Sequence, residues 1–270
     1  MVQLLKDSVR ILIHWNSKLF HSFSKKNPAT LKNLSGGGIV LSFDDLYLQD
    51  WLEADQHLKP FAWKATFFIS NLEHMDAKGF DRLKQLQRHG HEIAAHGYKH
   101  LDAVEFTNSA SPEKYLAEEI EPFLAAMKTQ GLHIDSFAYP YGTRNEATDR
   151  VLLKQFDILR GTTYGMRPLH VHDNYANGSR LVFGLGIDLS SEIEINYILK
   201  VLKYAQRKNK IVLFYGHNIQ RDAAGTYTTS FDRLETICRY VVDHKMTFLT
   251  FRELSLKRGD KSVPEERIVY

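Results

Sequence analysis

From residue 38 onward, short apolar runs alternate with longer stretches whose apolar positions recur every three or four residues. Short runs rich in β-branched and aromatic residues predict strands, and a period near 3.6 predicts helices with one buried face. The pattern predicts strands over 40–43, 65–69, 92–95, 137–139, 181–187, 211–215 and 247–251. Between them it predicts helices over 50–57, 80–89, 113–129, 146–155, 193–206 and 231–243. Ile198, Leu199, Leu202 and Ala205 recur at helical spacing, as do Leu83, Leu86 and Gln87. Ser111 before Pro112 reads as an N-cap followed by a first-turn proline, where the missing N–H costs nothing. The stretch 160–178 reads as loop.

Strands that alternate with helices form a parallel sheet, and right-handed crossovers lead to a barrel or a doubly wound sheet. With 270 residues, 43% of them hydrophobic, the chain can bury one large core. Asn33-Leu34-Ser35-Gly36-Gly37-Gly38 is the clear linker. It divides the chain into an N-terminal helical segment and linker over 1–37 and a catalytic domain over 38–270. The first segment mixes apolar residues with Lys6, Arg10 and Lys18. It reads as a helix that packs on the domain or touches a membrane surface. It has neither a signal-peptide core nor a cleavage site, and no stretch reaches the roughly 20 apolar residues of a membrane span. The expected location is cytoplasmic or peripheral to the membrane, with the envelope or secretion as alternatives. A net charge of +3, with basic residues scattered among acids, argues against a nucleic-acid partner. Cys238 stands alone, which excludes an intrachain disulfide and an all-cysteine metal site.

The candidate chemistry sits at the ends of the strand-like runs. Asp44 and Asp45 follow 40–43, His96 follows 92–95, Pro140-Tyr141-Gly142 follows 137–139, and His217 follows 211–215. In parallel α/β folds those C-terminal strand ends converge on the ligand-binding face. Adjacent carboxylates at a buried strand end oppose each other's ionisation, and a cation held by one of them relieves that cost. His96 and His100, four apart, can share one cation with a carboxylate and leave positions open for water. Zinc suits such a set, with cobalt, nickel or manganese as alternatives. His91 and His96 are five apart, so on a helix their rings would diverge by about 140°, against a zinc-protease helix. His170 and His172 read as solvated loop residues. Gly184-x-Gly186 lacks the third glycine of a dinucleotide fingerprint, and no Gly-x-Ser-x-Gly elbow is present. His217 is either a neutral core histidine or, at a barrel mouth opposite a metal, a candidate general acid.

At these residues the chain resembles the NodB-homology polysaccharide deacetylases, carbohydrate esterase family four. Ser42-Phe43-Asp44-Asp45 is similar to that family's first motif, and the run from Gly90 to His100, ending His96-Gly97-Tyr98-Lys99-His100, to its second. Phe137-Ala138-Tyr139-Pro140-Tyr141-Gly142 resembles the third, and Val212-Leu213-Phe214-Tyr215-Gly216-His217 the fifth. The resemblance implies a distorted (β/α)7 barrel and a metal-dependent hydrolase that removes acetyl groups from N-acetylated sugars of a glycan. It implies Asp44 as base, Asp45, His96 and His100 as metal ligands, and His217 as acid. Tyr141, with Pro140 and Gly142, would help hold the oxyanion, and Leu213 would line the pocket for the acetyl methyl group.

Four positions depart from the family pattern. Leu46 replaces the glycine of the first motif. Gly97 replaces a Ser or Thr that would buttress the histidine loop. Ala138 occupies the place of an Arg that pairs with the base in many members. The fourth motif has no clear counterpart, and Asp188 is the candidate for the acid that orients His217. Two rival readings therefore stand beside the N-deacetylase: an O-acetyl esterase on the same site, and a glycan-binding protein with impaired catalysis.

Overall fold

The computed structural model describes residue 34 and residues 36–222 and 225–257 of the chain. The helix expected in the first segment lies outside the described residues. In chain order the elements are β1 (Gly38–Asp45), α1 (Leu48–Leu58), β2 (Thr66–Ile69), α2 (Ala77–Arg88) and β3 (Glu92–Ala95). There follow α3 (Ala103–Ser109), α4 (Pro112–Tyr115), a π turn (Leu116–Ile120), α5 (Glu121–Thr129), β4 (Ser136–Ala138), α6 (Glu146–Gln155) and β5 (Ile158–Thr163). The rest comprises β6 (Leu181–Gly186), α7 (Ile195–Arg207), β7 (Ile211–Gly216), β8 (Asn218–Gln220), β9 (Thr228–Ser230), α8 (Phe231–Asp243), β10 (Thr247–Leu249) and α9 (Phe251–Leu256).

Strands β1 to β7 pair in sequence order, all parallel, and β1 closes onto β7 from Gly38↔Ile211 to Phe43↔Gly216. This is the distorted (β/α)7 barrel. The distortion is visible in two places. β3 and β4 share only the pair Ala95↔Phe137. β10 takes one edge of β1 over Gly38–Val40, while β2 pairs with β1 only from Ser42 onward.

Strand alternation sorts the side chains into two cores. Val40, Phe68, Ala94, Ala138, Ile158, Val182 and Leu213 face into the barrel. Ile39, Leu41, Phe43, Phe67, Ile93, Phe137 and Leu159 face outward and pack under the helices. Helix α7 shows how a periodic sequence supplies that outer layer. Ile198, Val201, Leu202 and Ala205 lie on one stripe and are buried, the larger three worth roughly 1.5–3 kcal/mol each as an upper bound. Phe251 and Leu254 of α9 join the interior core. The Phe251 N–H donates to Thr66 Oγ1 and the Arg252 N–H to buried Glu92. That fastens α9 across the N-terminal end of the barrel and leaves the C-terminal end as the mouth.

Caps fix the helix starts. Asp76, Asp102, Ser111 and Ser230 accept first-turn N–H groups, and Asn145 and Thr250 form full capping boxes. Two expectations need correction. Residues 160–163, read as loop, belong to β5, and the helix expected over 113–129 contains a π turn. In β5 the inward position between Ile158 and Thr162 is an arginine, so the apolar run is too short to register as a strand.

Candidate active site

The inward parity of the strands leads directly to the mouth. On β1 it runs Val40, Ser42, Asp44. On β3 it runs Ala94 and then His96, on β5 Ile158 and Arg160, and on β7 Leu213, Tyr215 and then His217. Asp45 has the opposite parity, but its backbone turns to φ +83, in the left-handed region. This brings its carboxylate back to the mouth, where Ser70 Oγ lies 3.4 Å from Oδ1. For a residue with a Cβ such a turn costs about 1–2 kcal/mol, a strain of the kind that concentrates at functional sites.

Asp45, His96 and His100 form a group that could hold a metal ion. His100 Nε2 lies 3.2 Å from His96 Nε2 and 3.3 Å from Asp45 Oδ1, and His96 Nε2 lies 3.9 Å from that oxygen. A tetrahedral ion with bonds of about 2.0–2.2 Å has ligand-to-ligand edges of roughly 3.3–3.6 Å. The donor set fits. His96 Nδ1 donates to the Ala138 carbonyl at 2.8 Å, which fixes the tautomer and leaves the Nε2 lone pair facing Asp45 and His100. Burial and the neighbouring His100 push the His96 imidazole well below its ordinary pKa. Burial also lowers His100, against the opposing pull of Asp45 and Asp44. Both rings are therefore held neutral, the form that binds a cation.

Asp44 is nearly inaccessible. Arg160 Nη2 donates to its Oδ2 at 2.6 Å, and its Oδ1 is buried without a hydrogen-bond partner among the described residues. The guanidinium lies between the rings of Phe68 and Tyr215, 5.4 and 4.8 Å from their centroids. Ala138 and Arg160 are register partners on β4 and β5. The arginine absent from position 138 is thus supplied one strand over. The sequence reading missed this residue because 160–178 looked like loop. An arginine at an inward position of a short β-prone run was the signal that could have found it.

His217 stands across the mouth, its backbone carbonyl accepting from Trp51 Nε1 at 2.8 Å. Asp188 Oδ2 lies 2.6 Å from His217 Nδ1, and Asp188 Oδ1 accepts the His217 N–H at 3.2 Å and the Thr229 hydroxyl at 2.6 Å. Gly216 makes room for this approach, since a Cβ there would stand 2.8 Å from Asp188 Oδ1. Burial pushes the His217 imidazole down, but the Asp188 hydrogen bond and the charges of Asp44, Asp188 and Asp45 outweigh it. The net shift is upward. With Nδ1 committed to Asp188, Nε2 is the atom left to exchange a proton. Thr229, on β9, was not read from the sequence.

Pro140 is buried, and Tyr141 is 45% exposed at φ +59, its ring centroid 4.6 Å from that of His100. Gly142 follows at φ +71 with Thr162 packed against its Cα, so a side chain there would collide. Leu213 lies deeper than expected. It is fully buried in the interior core, one inward position below Tyr215. His91 is structural: it accepts the Ala65 N–H and donates to Asp55 at 2.8 Å. His172 is buried beside the Gly165 carbonyl rather than solvated.

Geometry and fold define a parallel barrel with Asp44, His217 and a group that could hold a cation at its mouth. Comparison with known proteins narrows the class. The family model for polysaccharide deacetylase matches residues 32–158. No curated protein matches the chain by sequence. Among solved structures, it is similar to the Xyl-CE4 domain of a multidomain xylanase from the hindgut metagenome of Trinervitermes trinervoides. Identity there is 21%, coverage 83% of this chain and 92% of that one, and the TM-score 0.54. It is also similar to the family 4 acetyl xylan esterase from Clostridium thermocellum in complex with a cobalt ion, at 17% identity, 80% and 89% coverage and a TM-score of 0.53. A mutant of peptidoglycan deacetylase PdaC from Bacillus subtilis matches at 14% identity, 82% and 91% coverage and a TM-score of 0.52. At these identities the neighbours establish the fold.

Proposed function

We propose that the protein is a metal-dependent deacetylase acting on N-acetylated sugars of a polysaccharide or oligosaccharide. The observation that carries this reading is the division of labour between neighbouring carboxylates. His96 Nε2 lies 3.8 Å from Asp44 Oδ2 and 3.9 Å from Asp45 Oδ1, but Asp45 Oδ1 also lies 3.3 Å from His100 Nε2, whereas that Asp44 oxygen takes the Arg160 guanidinium at 2.6 Å. Asp45, His96 and His100 would hold a divalent cation, with zinc the best match to the donors. When bound, such a cation supplies Lewis acidity toward an acetyl carbonyl and acidifies water.

The chain's own groups do the rest. The Asp44 carboxylate accepts the proton of the attacking water, while Arg160 holds it in place through Oδ2. The backbone N–H of Tyr141 would help hold the oxyanion, where a single donor is worth about 3–4 kcal/mol in other enzymes. His217 Nε2 delivers a proton to the departing amine, and Asp188 orients the ring and favours its protonated form. An amine leaves only once protonated, so the raised His217 matters most for N-acetyl substrates. That favours N-deacetylation over the O-acetyl alternative. The Asp44–Arg160 and His217–Asp188 pairs also favour catalysis over a binding-only role, since Ala138 and the missing fourth motif are compensated by other residues. Acetate release from matched N-acetyl and O-acetyl oligosaccharides, with and without chelator, tests this. Activity that persists after full metal removal would sink it.

A further inference from the structure

Beneath the loop that carries His96 and His100 lies a carboxylate that the chemistry above does not use. Glu119 is fully buried and sits in the π turn Leu116–Ile120 between α4 and α5. Such turns insert an extra residue into a helix and occur often at functional sites. Lys99 N–H lies 3.1 Å from both carboxylate oxygens and Leu101 N–H 3.3 Å from Oε2. The His100 amide adds a further hydrogen bond, and the Glu119 carbonyl takes the Tyr98 N–H at 3.0 Å. Successive main-chain N–H groups converging on an anion form a nest.

The nest shapes the irregular loop between β3 and α3. Gly97 turns to φ +87, and His100, a residue with a Cβ, to φ +64. A Cβ on Gly97 would stand 2.5 Å from Glu119 Oε2. A Ser or Thr at 97 would therefore require the Glu119 carboxylate to shift from its present place. With glycine at 97, the loop is held from below by Glu119.

We propose that Glu119 is a positioning residue whose carboxylate gathers the amides of 99–101 and sets the His100 backbone, so that His100 Nε2 meets His96 Nε2 and Asp45 Oδ1 at one cation site. The proposal rests on the metal reading above. Residues that orient metal ligands typically contribute about 10–100-fold to metal affinity. Zinc(II) affinity by chelator competition and cobalt(II) visible bands, on metal-free wild type, E119A and E119Q, test it. E119A, lower in thermal stability but folded, is expected to bind zinc about 10–100-fold more weakly and with altered cobalt bands, the change in bands being what a loss of stability alone would not produce. E119Q keeps an accepting oxygen and is expected to recover most of that loss. Equal zinc affinity in E119A and wild type overturns this inference alone. A wild type that binds neither ion overturns the metal reading and this inference with it. Should E119A fail to fold, amide exchange on the metal-free wild type decides. Lys99 and Leu101 are expected to be protected despite lying in a loop, and exchange at unprotected rates overturns the proposal.

Discussion

The two walls of the barrel mouth are assembled by different means. On one wall, Asp45, His96 and His100 come from the ends of β1 and β3 and lie within about fifty-five residues of one another in sequence. On the other, Arg160, Asp188, His217 and Thr229 come from four separate segments, all beyond residue 158, where the family match ends. The first wall depends on local backbone geometry: left-handed turns at Asp45 and His100 and a fixed His96 tautomer. The second depends on long-range pairing of charged groups across strands. Chemistry written in a short motif survives in the motif. Chemistry supplied by strand parity can come from a neighbouring strand, as Arg160, register partner of Ala138, shows.

Replacing the base should separate the walls most sharply. Asp44→Asn is expected to reduce kcat/KM by about 10²–10⁴-fold while zinc stoichiometry stays at one per chain. Loss of the metal together with activity would assign Asp44 to the cation site instead. His217→Ala should cost about 10²–10⁴-fold on N-acetyl substrates and less on O-acetyl esters with good leaving groups. Equal losses on both would remove the argument for N-deacetylation.

Arg160 offers a test within the second wall. Arg160→Met leaves Asp44 buried without its partner, and the unfolding free energy should fall by about 3–5 kcal/mol in denaturant titration. Because 138 and 160 are register partners, the double change Ala138→Arg with Arg160→Ala should recover part of the lost activity. No recovery would mean that the arginine's position along the mouth matters beyond its charge. Asp188→Asn has a smaller effect on rate but a signed effect on pH dependence. Asp188 raises the His217 pKa, and the proton-donating form exists below that pKa. Removing the carboxylate lowers it, so the basic limb of kcat/KM should move to lower pH. A limb that stays or moves up contradicts the role given to Asp188.

Asp55 is the control outside both walls. Burial raises its pKa, but hydrogen bonds from His91 and His89 and from Trp63 more than offset this, and the net shift is downward. A carboxyl whose folded pKa is depressed contributes stability above its unfolded value, near 3.8, and loses it as pH falls through the folded one. Asp55→Asn should therefore cost roughly 1–3 kcal/mol at pH 7, a difference that disappears in strong acid, with kcat unchanged.

Much of the first wall was legible in the sequence, because Asp44-Asp45 and His96-x-x-x-His100 are compact and follow apolar runs. So was the barrel, since alternating strands and helices are written in local periodicity. The second wall was less so. β5 has a charged residue at an inward position, so its apolar run is too short to signal a strand, and Arg160 was lost with it. Thr229 lies in a three-residue strand paired only with β8, too short to leave a pattern. The π turn was read as plain helix because one extra residue per turn barely changes an amphipathic stripe. Glu119 could not be linked to Gly97 by spacing, as their contact exists only once the loop folds over the helix.

The most direct test is a zinc-soaked crystal with anomalous scattering. The account requires one ion about 2.0–2.3 Å from Asp45, His96 Nε2 and His100 Nε2, with Asp44 off the metal and bonded to Arg160. An ion ligated by Asp44, or none at the triad, would contradict it.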